Sequence, residues 1–261
     1  MLQVKNLSTY FFINDKVIKA IDGVNLEINE GEIVAIVGES GSGKTVTILS
    51  ILKLIDPPAK IVSGEVLWRG GVDLLKLNDD ELRKFRGREI GVIFQDVSNS
   101  LNPVLTVGKQ VREVLEFKFN LSGKEAKEEV LKIFERIGIK EAEKIYDLYP
   151  HQLSGGLRQR ILIAMVFALK PNLIIADEPT SQVDALTQVQ ILELFKEFRN
   201  EFKTSILLIT HNFGVVNEIA DRVYVMHRGK IIESGETSKI LSSPSHPYTL
   251  NLIESAKFLS L

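Results

Sequence analysis

Residues 38–45 read Gly-Glu-Ser-Gly-Ser-Gly-Lys-Thr, between an apolar run at 33–37 and a helical pattern at 46–54. This is G-x-x-x-x-G-K-[ST] in a strand, loop and helix context, which is built to hold phosphate. The glycines let backbone N–H groups approach closely, the positive helix start attracts the anion, Lys44 reaches the β and γ oxygens, and Thr45 ligates Mg²⁺. The candidate nucleotide-binding residues are therefore Gly38, Ser40, Gly41, Ser42, Gly43, Lys44, Thr45 and Thr47.

A second set of residues adds water chemistry. The apolar run 173–176 ends in Asp177 and Glu178. A carboxylate at the end of a strand can hold Mg²⁺ through water, and the next one can orient and polarise an attacking water for in-line displacement. Alone, such a pair would be a surface feature; after a phosphate loop it becomes catalytic. Third, Ser154-Gly155-Gly156 precedes the helical run 157–169. Ser154 can cap that helix, and the glycines expose N–H groups at its positive end, so this is a second place suited to phosphate.

These residues need elements to carry them. Unbroken apolar runs at 33–37, 90–94, 173–176, 205–209 and 222–226 are strands buried on both faces, as a parallel sheet requires. Helical patterns between them, such as 189–198, make the chain α/β. Residues 17–21 and 24–28 alternate around Asp22-Gly23, which predicts an antiparallel hairpin turning there. From 98 to 167 the strand signal gives way to helical, charge-laced sequence, including a helix over 124–134 that ends near Gly138. The tail after Gly235 has a turn-rich centre at 242–247 with a short helical segment on each side.

Composition narrows the possible functions. Lys plus Arg number 32 against 34 Asp plus Glu, a net charge of −2, so no nucleic-acid-binding field is expected. There is no cysteine, which excludes disulfides, thiolate metal sites and iron–sulfur clusters held by this chain. The longest apolar run, 161–169, falls short of the roughly 20 residues of a membrane helix. The first residues show neither a basic leader nor an apolar signal core, so a cytoplasmic location is the expectation.

The chain as a whole resembles the nucleotide-binding subunit of an ATP-binding cassette transporter. The resemblance rests on motifs in family order: the phosphate loop, Gln95 after a strand, the signature Leu153 to Gln159, Asp177-Glu178, Ser181-Gln182-Val183-Asp184 and His211. It implies a P-loop NTPase (RecA-like) core with an antiparallel β subdomain and an α-helical signature subdomain. The implied divisions are 1–97 for the β subdomain and first part of the core, 98–167 for the helical subdomain, 168–235 for the rest of the core, and 236–261 for the tail. By resemblance Gln95 contacts Mg²⁺ or the attacking water, His211 contacts the γ-phosphate, and Asp184 lies at a dimer interface. Phe11, or failing it Tyr10, is the aromatic expected on adenine. Two subunits of this family pair head to tail, so that the signature of one closes on ATP held by the other.

Ser100-Leu101-Asn102-Pro103 and His246-Pro247-Tyr248-Thr249 resemble elements of the oligopeptide and dipeptide importer branch. That implies uptake of peptides, with oligosaccharide or nickel as alternatives within the branch. It also implies two transmembrane permeases, a second cassette ATPase in a heterodimer or homodimer, an extracytoplasmic substrate-binding protein, and a peripheral place on the cytoplasmic face of the membrane. Departures from the family pattern are Val97 for proline, Leu157 in the signature, Gln182-Val183 before Asp184, and Asn212 for the aspartate after His211. None removes a catalytic group.

Overall fold

A computed structural model describes residues 1–96, 100–181 and 183–258, so the departures at Val97 and Gln182 lie outside the described residues. In chain order the strands are β1 (Leu2–Ile13), β2 (Lys16–Ile28), β3 (Ile33–Val37), β4 (Ala59–Trp68), β5 (Val72–Asp73), β6 (Ile90–Ile93), β7 (Leu173–Asp177), β8 (Ser205–Ile209), β9 (Arg222–His227) and β10 (Lys230–Glu236). The helices are α1 (Lys44–Ile51), α2 (Asp79–Phe85), α3 (Val107–Phe119), α4 (Gly123–Arg136), α5 (Ala142–Tyr146), α6 (Gly155–Ala168), α7 (Ala185–Phe202), α8 (Phe213–Ile219), α9 (Thr237–Ser242) and α10 (Pro247–Phe258). They form two units, Met1–Arg83 with Ser205–Leu261, and Lys84–Thr204.

In the first unit β1 pairs antiparallel with both β2 and β4. The hairpin turns at Asn14-Asp15, where Ile13 faces Lys16 and Asn14 adopts φ 51°. The turn expected at Asp22-Gly23 is therefore corrected, because β2 runs straight through it. Leu7 pairs with Val24 and Thr9 with Ile21, so β2 carries one residue more than β1 between these pairs. The surplus is a bulge with Gly23 at φ 74°, and the Gly23 N–H donates to Ser8 Oγ at 2.9 Å. A tight-turn dipeptide and a glycine bulge use the same left-handed residue, which is why the local pattern misled.

Beside this flap, β3 lies parallel to β8 and β9, and β10 runs antiparallel to β9. All five β3 residues are buried, as its unbroken apolar run requires. Ala35, Val37, Val223 and Val225 pack with Phe213 and Val216 of α8 and Ile253 of α10, so the tail helix is part of this core.

In the second unit β6 and β7 pair parallel, from Ile90 opposite Leu173 to Ile93 opposite Ala176. Three helices of this unit begin with side-chain caps, while α3 and α5 begin without one. Ser122 and Glu125 form a capping box on α4, Ser154 caps α6, and Asp184 caps α7. Helix α4 ends before Gly138, which takes φ 75°, as the sequence indicates. Helix α6 is buried along most of its length, with Phe167 stacked on Phe198 at 4.0 Å between ring centroids. Among the described residues no helix is long and apolar enough to cross a membrane.

Candidate functional site

The expected site residues divide between the units. In the first, the loop 38–43 leaves the carboxyl end of β3 and enters α1 at Lys44. Gly43 is the N-cap with φ 110°, no side chain caps the helix, and no acid stands in its first turn. The helix start thus keeps its positive character for an incoming anion. A Cβ at Gly43 would lie 2.7 Å from Ala20 O and 2.9 Å from Ile21 Cγ2, so only glycine lets the loop pass this close to β2.

Lys44 is a nearly buried cation that donates from Nζ to the carbonyls of Gly38, at 2.6 Å, and Glu39, at 2.9 Å. Ser42 is buried, and its Oγ has no hydrogen-bond partner. A buried ammonium, an unpartnered hydroxyl and an uncapped helix start suit a phosphate chain. Ser40 and Gly41 are exposed in the same loop, and Thr45 is exposed in the first turn of α1. Thr47 faces the other way: it is fully buried, and its N–H and its hydroxyl both donate to Gly43 O at 2.9 Å. It braces the end of the loop from inside.

His211 follows β8, which neighbours β3 in parallel, so both chain segments leave the same end of the sheet. Carboxyl ends of parallel strands are where this class of sheet places ligands. His211 is exposed, and Asn212 after it caps α8 by accepting from Gly214 N at 2.8 Å and Val215 N at 3.3 Å. Asparagine caps as well as aspartate, so this departure leaves the helix cap in place. Phe11 is half-buried in β1 opposite Ile18 and Ala59, two residues past Thr9, the partner of Ile21. Tyr10 has its hydroxyl engaged, donating to Asp22 Oδ1 at 2.6 Å, and this bond holds the Asp22 carboxyl below its ordinary pKa.

In the second unit Asp177 closes β7 and is 3% exposed, while Glu178 beyond it is half-buried at φ 50°. A left-handed conformation is strained for glutamate and persists only where surroundings impose it. Here Ser181 donates to the Glu178 carbonyl from N, at 3.2 Å, and from Oγ, at 3.0 Å. Gln95 is exposed in the loop after β6. Ser154 caps α6 through Leu157 N at 3.4 Å, with Gly155 in the exposed first turn and Gly156 half-buried. Asp184 accepts from Thr187 N at 3.0 Å and Thr187 Oγ1 at 2.8 Å; the backbone bond is the main reason its pKa lies below 3.8.

Thr45, Gln95 and Asp177 offer a hydroxyl, an amide and a carboxylate, all hard oxygen donors, so their chemistry fits Mg²⁺. Among the described residues, no group of three or more His, Asp or Glu is placed to cage a metal. One residue at the loop was not foreseen. Glu39 N donates to Tyr248 Oη at 3.3 Å, across 209 positions of sequence, and no local signal announces such a contact.

Comparison with known proteins agrees with this architecture. A family model described as ABC transporter matches residues 21–181. The oligopeptide transport ATP-binding protein AppD of Bacillus subtilis (strain 168) is 46% identical over 256 residues, covering 98% of this chain and 78% of AppD. Its dipeptide transport ATP-binding protein DppD is 45% identical over 262 residues, covering 100% of this chain and 78% of DppD. Among solved structures, the dimeric ATP-binding cassette MJ0796 in a post-hydrolysis state bound to ADP and Pi has a TM-score of 0.82 at 33% identity. That match covers 91% of this chain and 99% of MJ0796.

Proposed function

Because the chain belongs to the ABC transporter family, we infer that it is the ATP-hydrolysing subunit of an importer that takes up oligopeptides or dipeptides. The observation that carries the ATPase is the loop 38–45, with a nearly buried Lys44 and an uncapped helix start at the end of β3. The peptide cargo rests on the names of the relatives and on residues 100–103 and 246–249. ATPase residues do not touch cargo, so it is assigned by kinship.

The roles follow from residue chemistry. Lys44 neutralises charge on the β and γ phosphates, and the N–H groups of 41–45 wrap them. Thr45, Gln95 and, through water, Asp177 would hold Mg²⁺, which when bound supplies positive charge to the phosphate oxygens. Glu178 orients the attacking water and takes its proton, and His211 steadies the γ-phosphate. Phe11 stacks on adenine. Ser154, Gly155, Gly156 and Asp184 serve the nucleotide of a second cassette subunit, which makes ATP an adhesive that hydrolysis removes. The partners in this reading are that second ATPase, two permeases and an extracytoplasmic binding protein, with the chain peripheral on the cytoplasmic face of the membrane.

A Glu178→Gln variant tests the catalytic assignment. Steady-state hydrolysis should fall at least about 100-fold while ATP binding is kept. Full turnover by the variant would remove Glu178 as the base. Capture of the tagged chain from gently solubilised membranes should bring two permeases and a second cassette ATPase. Their absence, with ribosomal or repair proteins in their place, would leave the ATPase standing and overturn the importer.

A further inference from the structure

The element at 246–249 has no part in the chemistry above, yet it reaches the phosphate loop. Tyr248 Oη accepts from Glu39 N at 3.3 Å. That N–H belongs to the peptide joining Gly38 to Glu39, and the carbonyl of the same peptide, Gly38 O, accepts from Lys44 Nζ at 2.6 Å. A peptide group is planar, so fixing the direction of its N–H also fixes the direction of its C=O.

The phenol is itself held firmly. Its ring lies against the His227 ring at the end of β9, with centroids 3.9 Å apart. Tyr248 N donates to His246 Nδ1 at 3.1 Å, and Glu233 of β10 accepts from Ser245 N at 2.6 Å and His246 N at 3.1 Å. Tyr248 also packs at the edge of the core shared by β3, β9 and α10. Burial, with the Glu39 carboxylate adding to it, raises the phenol pKa above 10.0, so the group stays neutral at physiological pH.

We propose that Tyr248 is a positioning residue for Lys44: its oxygen sets the Gly38–Glu39 peptide, and through the Gly38 carbonyl it aims the ammonium that meets the phosphates. The tail element thereby tunes nucleotide affinity without touching nucleotide. This rests on the loop being an ATP site, as inferred above.

The test is Tyr248→Phe in the full chain, which keeps the ring against His227 and removes only the oxygen. Equilibrium titration with Mg-ATP, the KM for ATP and the melting temperature without nucleotide are measured side by side. Loss of one neutral hydrogen bond predicts a rise of about 3- to 10-fold in Kd and KM. The bond exists without nucleotide, so its loss should lower the unliganded melting temperature by no more than about 4 °C. Equal ATP affinity in the two proteins overturns the role of Tyr248. So does weaker binding accompanied by a larger fall in the unliganded melting temperature, because Tyr248 then only secures the tail. Failure of the wild type itself to bind ATP overturns both the role and the ATPase on which it depends.

Discussion

Lys44 donates to the carbonyl of Gly38 at 2.6 Å, so the loop that begins the phosphate site also holds the cation that completes it. Lys44 is 8% exposed as a whole residue, and its Nζ bonds to two loop carbonyls, which spares it much of the competition from water. Lys44→Ala removes a charge-assisted partner for phosphate. ATP affinity should weaken about 10- to 100-fold by equilibrium titration. An unchanged affinity would mean that the phosphates bind elsewhere.

Two glycines of the loop should respond differently to the same change. Gly43→Ala must take φ 110° with its Cβ 2.7 Å from Ala20 O, whereas Gly41→Ala at φ 78° meets nothing within 4 Å. The second variant bears only backbone strain, about 1–2 kcal/mol. The first adds a clash with backbone, so it should lose more stability in denaturant titrations and lose ATP binding as well. Equal costs would show that the approach of β2 to the loop is not tight.

Asn212 after His211 caps α8 through its side-chain oxygen. Asn212→Asp preserves the acceptor, and ATP turnover should stay within about twofold of wild type. Asn212→Ala leaves two helix N–H groups without it and should cost about 1 kcal/mol of stability, with lower turnover from a less fixed His211. A turnover identical in all three proteins would separate the cap from the histidine.

Asp184 contributes a pH-dependent part of the stability. Its pKa is held below 3.8, chiefly by the Thr187 N–H, so the folded chain prefers the ionised carboxylate. The contribution is complete above the unfolded value and disappears as pH falls through the lower folded value. The melting-temperature gap between wild type and Asp184→Asn should be constant from about pH 7 to pH 5 and close below about pH 4. A gap that persists at about pH 2 would place its origin in something other than ionisation.

The phosphate loop, the acid pair at the end of β7 and the cap at Ser154 could be read in advance because each is local: a few neighbouring residues suffice to make the strand end, the turn and the helix start. The buried strands were legible for the same reason, since five apolar residues in a row, as at Ile33–Val37, leave a strand no solvent face. Other features depend on what lies opposite in space. Asp22-Gly23 has the composition of a hairpin turn, and its pairing with β1 makes it a bulge. Thr47 sits in the motif as if to meet nucleotide, yet the rotation of α1 turns it onto Gly43. The residues around Tyr248 point to a branch of the family but not to the phosphate loop, and Tyr248 meets Glu39 because the tail packs on the strand that leads into the loop. Residues close in the chain announce the conformation they share, whereas a hydrogen bond closed across 209 positions exists only once the core has brought its two ends together.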